Sequence, residues 1–350
     1  MTFVQLQMSY SRYLLQVGQT HNRPFFCLGP TVTTRQPLDF RAVCLMLVLC
    51  LTWSMQQIGL RATASDFSPV LQIGLRSGVS AILVAVYMRV RGLPMRGVAG
   101  AFWPGAMSGF LFGFEYLLVG EALRLTSAAH VAVFLYTAPI FAALGLHWKL
   151  PSERLAGLQW AGIVLAFFGI VASFALRLAP ANANWGQLLL GDALALLGGM
   201  AWGATTVVIR STRLGEMPPG LTLFYQLVGA FVLLVPSAFW MGQLQIRVTP
   251  LVIANFAFQA VLVSFVSFLV WFWLLRHYLA SRLGVFAFMT PLFGVVLGAW
   301  LLKEPIEPAF VVGAVLVLLG VVLVSAHGGI AQALGRWRRD PQQKQAKTSI

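Results

Sequence analysis

Apolar residues run along this chain in blocks of roughly 20, the length that crosses a bilayer core of ~30 Å as a helix. Ten such blocks fall near 42–60, 68–88, 98–120, 126–147, 156–176, 187–209, 219–240, 252–274, 281–302 and 308–326. Within each block the apolar residues are continuous instead of alternating with period two, which predicts helices and excludes barrel strands. Polar positions cluster in the short breaks, and few interrupt a block. The pattern predicts an all-α integral membrane protein of ten transmembrane helices.

The blocks are not independent of one another. Residues 123–171 recur in outline at 275–322: seventeen positions run without a gap from Leu123 to Pro139 and from Leu275 to Pro291. Val133-Phe134 falls on Val285-Phe286, Phe141 on Phe293 and Trp148 on Trp300. After one dropped residue, Glu153 meets Glu304, Gly162 meets Gly313 and Gly169 meets Gly320. Upstream, Trp53 and Arg61 match Trp202 and Arg210, and Pro69 matches Pro219. Each repeat therefore holds five helices, at 41–177 and 187–326. Because five is odd, the second repeat enters from the opposite side, and inverted five-helix repeats place a solute site near the midplane between them. Residues 1–40 and 329–350 are read as cytoplasmic tails, the second of them basic.

Charge supports the orientation. Only 10% of the 350 residues are charged, against about 25% in a soluble domain, and the mean hydropathy is +0.81. With both termini cytoplasmic, 18 of the 24 Lys and Arg fall inside and five outside (Arg61, Arg124, Arg177, Arg247 and Lys303), with Arg76 within a span. The net charge of +14 is thus a topology signal, not a nucleic-acid surface. The N-tail lacks the apolar core of a cleavable signal peptide, so the first helix serves as the insertion signal. Cys27, Cys44 and Cys50 offer neither a disulfide framework nor metal-ligand spacing.

The chain resembles the EamA-type transporters of the drug/metabolite transporter superfamily. Ala122-Leu123, Ser127, Pro139-Ile140-Phe141, Glu153-Arg154, Gly162 and Gly169 carry the resemblance in the first repeat. Pro291-Leu292-Phe293, Leu302-Lys303-Glu304-Pro305, Gly313 and Gly320 carry it in the second. It covers about residues 42–326. It implies ten helices, a bacterial inner-membrane location, and movement of amino acids, metabolites or drugs, with export favoured over uptake. Lys149-Leu150-Pro151-Ser152 departs from the family pattern, which affects the loop after helix four.

Within the spans, Pro139 and Pro291 each remove a backbone donor, freeing the carbonyls of Leu135 and Ala287, so helices four and nine are expected to bend there as hinges. Gly105, Gly109 and Gly113, with the pairs Gly162/Gly169 and Gly313/Gly320, read as packing positions. Arg76 and Glu115 are the two charges expected deep in the membrane, about 12 Å and 8 Å from the outer face. Their counterparts, Gln226 and Ser267, are neutral. A structural ion pair, solute binding and proton coupling all remain open for them. Gln56, Arg76, Glu115, Tyr136, Trp202 and Gln259 are the candidate cavity residues, with Gln57, Ser264, Trp53 and Trp271 as further possibilities. A lone His130 near a helix end reads as interfacial in preference to a proton relay.

Asp192 faintly suggests an intramembrane aspartyl protease, but no second aspartate lies inside a span to share its proton. There is no phosphate-binding glycine loop and no His/Cys/Asp cluster, so neither cofactor nor metal is expected. The expected activity is secondary transport of a small organic solute by alternating access, in a monomer or homodimer. A membrane-embedded enzyme acting on lipid or peptide and a non-transporting scaffold are the alternatives. Reporter fusions test the topology: a fusion at the C-tail should give the cytoplasmic signal and one in the 178–186 loop the opposite. Equal signals would break the inverted-repeat reading.

Overall fold

The apolar blocks fold as helices because a helix satisfies its own backbone donors and acceptors where no water can. The computed structural model describes residues 40–94, 100–149, 155–175, 184–277, 289–304, 306, 308 and 310–323. Except for Phe40, the expected tails lie outside these residues, as do Glu153 and the loop around it. The helices are α1 (Phe40–Ala62), α2 (Pro69–Val90), α3 (Phe102–Leu125), α4 (Ala128–Leu135), α5 (Ala138–Lys149) and α6 (Gly157–Ala175). In the second half they are α7 (Trp185–Ser211), α8 (Pro219–Trp240), α9 (Pro250–Ala257), α10 (Ser267–His277), α11 (Met289–Leu301) and α12 (Phe310–Leu323). Proline opens α2, α8 and α9, where its missing N–H costs nothing. Side chains of Ser127, Asn184 and Thr249 cap α4, α7 and α9.

Seven stretches are long and apolar enough to cross a membrane, counting Ala128–Lys149 and Pro250–Trp271 as one each. Gly157–Ala172, Met289–Leu301 and Phe310–Leu323 are shorter apolar helices among the described residues. The ninth expected block began at 281, and residues 281–288 are not described. Large apolar side chains point outward along the bundle, among them Ile82, Phe110, Phe167, Val232 and Val296. That is the inside-out pattern a hydrocarbon solvent permits.

Two expected spans depart from regular α-helix. The fourth does not bend at Pro139; it stops. Tyr136 and Thr137 separate α4 from α5, and Pro139 is the second residue of α5, where proline is tolerated. Thr137 repairs the break locally: its Oγ1 donates to the Phe134 carbonyl at 2.6 Å and its own carbonyl accepts from Ile140 N–H at 2.9 Å. Pro291 is the third residue of α11, and the bend expected around Ala287 lies outside the described residues. The eighth span passes from α9 through a nine-residue π-helix, Phe258–Val266, into α10. Single-turn π insertions are the usual form, and they concentrate at functional sites.

Close approach of backbones organises the bundle. Gly105, Gly109 and Gly113 turn one face of α3 to α8, where Gly109 meets the Tyr225 carbonyl and Gly229, and Gly113 meets Ala230. Helices α6 and α12 pack through the repeated glycines. A Cβ on Gly169 would lie 2.7 Å from the Gly313 carbonyl oxygen, and one on Gly320 would strike the Gly162 carbonyl. Since Gly162 matches Gly313 and Gly169 matches Gly320, each contact is the other with its partners exchanged. The same holds elsewhere: Ser54 Oγ donates to the Thr290 carbonyl at 2.6 Å, while its counterpart Gly203 crowds the carbonyl of Ala138, the counterpart of Thr290. Exchange of this kind is what a two-fold axis between inverted repeats produces.

One end of the bundle carries a polar layer. Glu304 receives Ala128 N–H at 3.0 Å, with Arg61 Nε 3.8 Å from the same oxygen. Gln243 bridges Ser68 Oγ and Glu121, each at 2.7 Å, and Arg124 pairs with Glu121 at 2.9 Å. An antiparallel bridge, Phe67 to Ile246, and a bond from Arg247 N–H to the Asp66 carbonyl join the two loops there.

Overpacking a close helix contact typically costs about 1–3 kcal/mol. Gly109→Ala and Gly169→Ala should each lose that much in thermal unfolding of the detergent-solubilised protein. Gly157→Ala, where an added Cβ meets nothing within 4 Å, should change stability by less than about 0.5 kcal/mol.

Candidate functional site

Between the two halves lies a cavity open to one side. Its wall is aromatic: Trp53, Phe112, Tyr116, Tyr136, Trp202, Phe268 and Trp271. The break after α4 places Tyr136 edge-on to Trp202, with ring centroids 5.4 Å apart. Trp53 from α1 meets Trp271 from α10 in the same manner at 6.3 Å. Gln56, Gln57, Arg76, Ser77, Glu115 and Ser264 supply the polar part of the wall. Five of the six residues singled out from the sequence thus face one space.

The sixth, Gln259, stands behind Arg76 instead of on the wall. It is the second residue of the π-helix, is fully buried, and accepts from the Arg76 guanidinium through Oε1. Its Nε2 donates to the Gln56 carbonyl at 2.9 Å and toward Asn255 Oδ1 at 3.4 Å. Across the cavity, Arg76 lies 5.2 Å above the centre of the Tyr116 ring, a cation–π distance, and Gln56 Nε2 donates to the Tyr116 hydroxyl at 3.3 Å. Ser80 supports the π segment by donating to the Ala260 carbonyl at 3.0 Å.

The ion pair considered for Arg76 and Glu115 does not form. Both are buried, at 2% and 4% exposure, yet the arginine turns to a neutral amide and an aromatic face, and Glu115 Oε2 has no hydrogen-bond partner. Sequence reasoning missed Tyr116, although it shares a helix face with Phe112 and adjoins Glu115.

Four buried polar atoms on this wall are without partners: Gln57 Oε1, Arg76 Nε, Glu115 Oε2 and Trp202 Nε1. Two accept and two donate. By contrast, Trp53, the repeat counterpart of Trp202, donates from Nε1 to Ser267 Oγ at 3.0 Å. Buried polar atoms in native proteins are overwhelmingly paired; of the nine such side-chain atoms without partners among the described residues, these four share one cavity wall.

A second buried polar cluster lies toward the Glu304 end. His130 is not lone: it is 4% exposed, with Nδ1 3.0 Å from both carboxylate oxygens of Asp192. Asp192, fully buried in α7, also accepts from Thr126 Oγ1 at 2.6 Å. It is a third deep charge beside Arg76 and Glu115. Its partners lie 62 and 66 residues away in the sequence, so hydropathy gave no sign of them. Among the described residues no group of His, Cys, Asp and Glu is arranged to hold a metal ion.

A model of the EamA-like transporter family matches residues 40–175 and 189–326. The chain belongs to that family. It is a multi-pass membrane transporter, built from the two matched repeats. A relative from Bacillus subtilis (strain 168), the uncharacterized transporter YoaV, is 22% identical over 282 residues, 78% of this chain and 92% of its own. A protein of Escherichia coli (strain K12) named as a probable amino-acid metabolite efflux pump is 23% identical over 290 residues, 80% of this chain and 93% of its own. A solved crystal structure shares the fold with a TM-score of 0.55 at 20% identity, over 81% of this chain and 95% of that one.

The absence of an Arg76–Glu115 pair changes what substitution should do. Glu115→Gln removes an unpartnered buried charge and should leave the protein at least as stable as the wild type. Gln259→Leu strands the Arg76 guanidinium and should cost about 1.5–3 kcal/mol. Denaturant unfolding in mild detergent separates this from a salt bridge, for which both Arg76→Gln and Glu115→Gln would destabilise.

Proposed function

We propose that the protein is a secondary transporter that exports a small zwitterionic metabolite, an amino acid or a close derivative, by alternating access. The observation that carries this reading is the set of four unpartnered atoms on the cavity wall. Glu115 Oε2 and Gln57 Oε1 call for a donor, and an ammonium group supplies one to each. Arg76 Nε and Trp202 Nε1 call for an acceptor, and a carboxylate supplies that. The aromatic wall takes the apolar side chain. A relative named as an amino-acid metabolite efflux pump supports the same solute class and the outward direction.

In this reading the chain crosses the inner membrane ten times, with both termini cytoplasmic, and the Glu304 end faces outward. The inverted repeats supply two related arrangements of the same helices, one open to each side of the cavity. The break before Pro139 acts as a hinge, because the regular helical ladder is already interrupted at Tyr136 and Thr137, and Pro291 takes the same role by its repeat position. Tyr136, at the break, would carry such a rotation directly to the cavity wall. The bilayer is the only other partner the reading requires.

The test is counterflow in proteoliposomes containing the full chain, with L-phenylalanine, phenethylamine and phenylpropionate as probes. The three share an aromatic body, and only the first carries both charges. Phenylalanine should be carried and the two single-charge compounds should not. Glu115→Gln should raise the apparent KM for phenylalanine about ten- to hundredfold, the worth of one charged hydrogen bond. Equal transport of all three probes, or an unchanged KM in Glu115→Gln, would remove the zwitterion reading.

A further inference from the structure

We propose that His130 and Asp192 form a proton-binding site, separate from the solute cavity, whose occupancy governs how firmly α4 is held against α7. This is the point at which proton movement is coupled to transport, and the proposal rests on the transport reading above. Neither residue lines the cavity. Their side chains are 5% and 0% exposed, and the imidazole lies flat on Phe310 of α12, with centroids 3.9 Å apart and planes within 10°.

With Asp192 ionised, as its acceptance from Thr126 Oγ1 suits, Nδ1 carries its hydrogen and donates it to the carboxylate. The remaining proton is the one on Nε2. Uptake fills that lone pair and leaves an imidazolium beside a carboxylate, with no net charge; release leaves a neutral imidazole and a net charge of −1. No other bond is made or broken. Histidine is the side chain whose charge ordinarily changes across the physiological pH range.

The site lies where α4 docks. Gly191 of α7 presses on Thr126, which a Cβ would meet at 2.8 Å, so the corner between α3 and α4 rests directly on α7. His130 also lends its backbone N–H to the Ser127 cap. Among the described residues, the charged groups facing this corner are Glu304 with Arg61 at the first turn of α4 and Glu121 with Arg124 at the end of α3. Asp192 faces it from α7, and α12 contributes the uncharged Phe310. The buried net charge of the deprotonated pair favours hydration and hence loosening of α4 from α7. The protonated pair is neutral and favours the docked arrangement seen here. Loosening at this corner would move Tyr136, at the other end of α4, within the cavity.

Two measurements test this. The first uses the full chain with His21, His147, His277 and His327 replaced by glutamine, leaving His130 as its only histidine, and isotope-labelled at that residue. Infrared difference spectra between acid and alkaline pH should show an imidazole band that changes with pH and is altered by Asp192→Asn. A band that does not change overturns the proposal, whatever the transport data show.

The second uses proteoliposomes with L-phenylalanine as the probe. A one-unit pH gradient should sustain up to about tenfold accumulation in the wild type if one proton moves per solute. His130→Gln and Asp192→Asn should keep exchange at equal pH within about twofold while losing that accumulation. Thr126→Val, which retains both titrating groups, should keep it. Accumulation that survives in His130→Gln/Asp192→Asn overturns the coupling. If the wild type carries no probe at all, the zwitterion reading fails, and the infrared titration still judges the proton site.

Discussion

Inside a bilayer an unpaired polar group has no water to turn to, and each departure from plain helix in this protein is shaped by that constraint. Where α4 stops, Thr137 donates from its own side chain to the Phe134 carbonyl in the turn that precedes Pro139. Where the eighth span widens into a π-helix, Ser80 of α2 reaches across to the Ala260 carbonyl. Arg76 is tolerated because Gln259 and the face of Tyr116 receive it. Nine buried side-chain polar atoms among the described residues nevertheless lack a partner, and four of them gather around the cavity.

Helix packing obeys a related rule. Lipid offers no hydrophobic drive for helices to associate, so backbones must come close enough for dispersion and weak contacts to hold them. Glycine is what allows it, and the pattern follows the repeats: Gly169 against Gly313, Gly320 against Gly162. The contacts are exchanged across the axis, so a displacement of α6 on α12 changes both at once. The polar layer at the Glu304 end ties α1, α3, α4 and the loop after α8 together by hydrogen bonds instead.

Much of this was legible in the chain itself. Continuous apolar blocks identify helices, and the paired Pro139/Pro291, Glu153/Glu304 and glycine positions identify the repeat, because backbone requirements recur wherever the backbone does. Five cavity residues could be named because a polar or amphipathic side chain inside an apolar block needs a reason to be there. What sequence reasoning could not reach was the partner of each. Arg76 and Glu115 look complementary when only charge and depth are considered, and nothing along the chain says that Gln259, 183 residues away, takes the guanidinium instead. His130 looked lone because the helix entrance it occupies is buried by Asp192 and Phe310, both distant in sequence. Pairing is a property of tertiary packing, and a single sequence carries it only weakly.

The two indole hydrogens on the cavity wall carry one more consequence. Trp53 matches Trp202, and Ser267 matches Glu115, so the bond from Trp53 to Ser267 has a twin that is open here. A symmetric machine with one latch fastened and its mirror latch undone is displaced from its centre. Its two latches also differ in strength, since serine offers a dipole and glutamate a charge, and charge-assisted hydrogen bonds are roughly twice as strong as neutral ones. Under the alternating-access reading proposed above, divergence between the duplicated halves gives the balance unequal arms and the unliganded protein a preferred resting side.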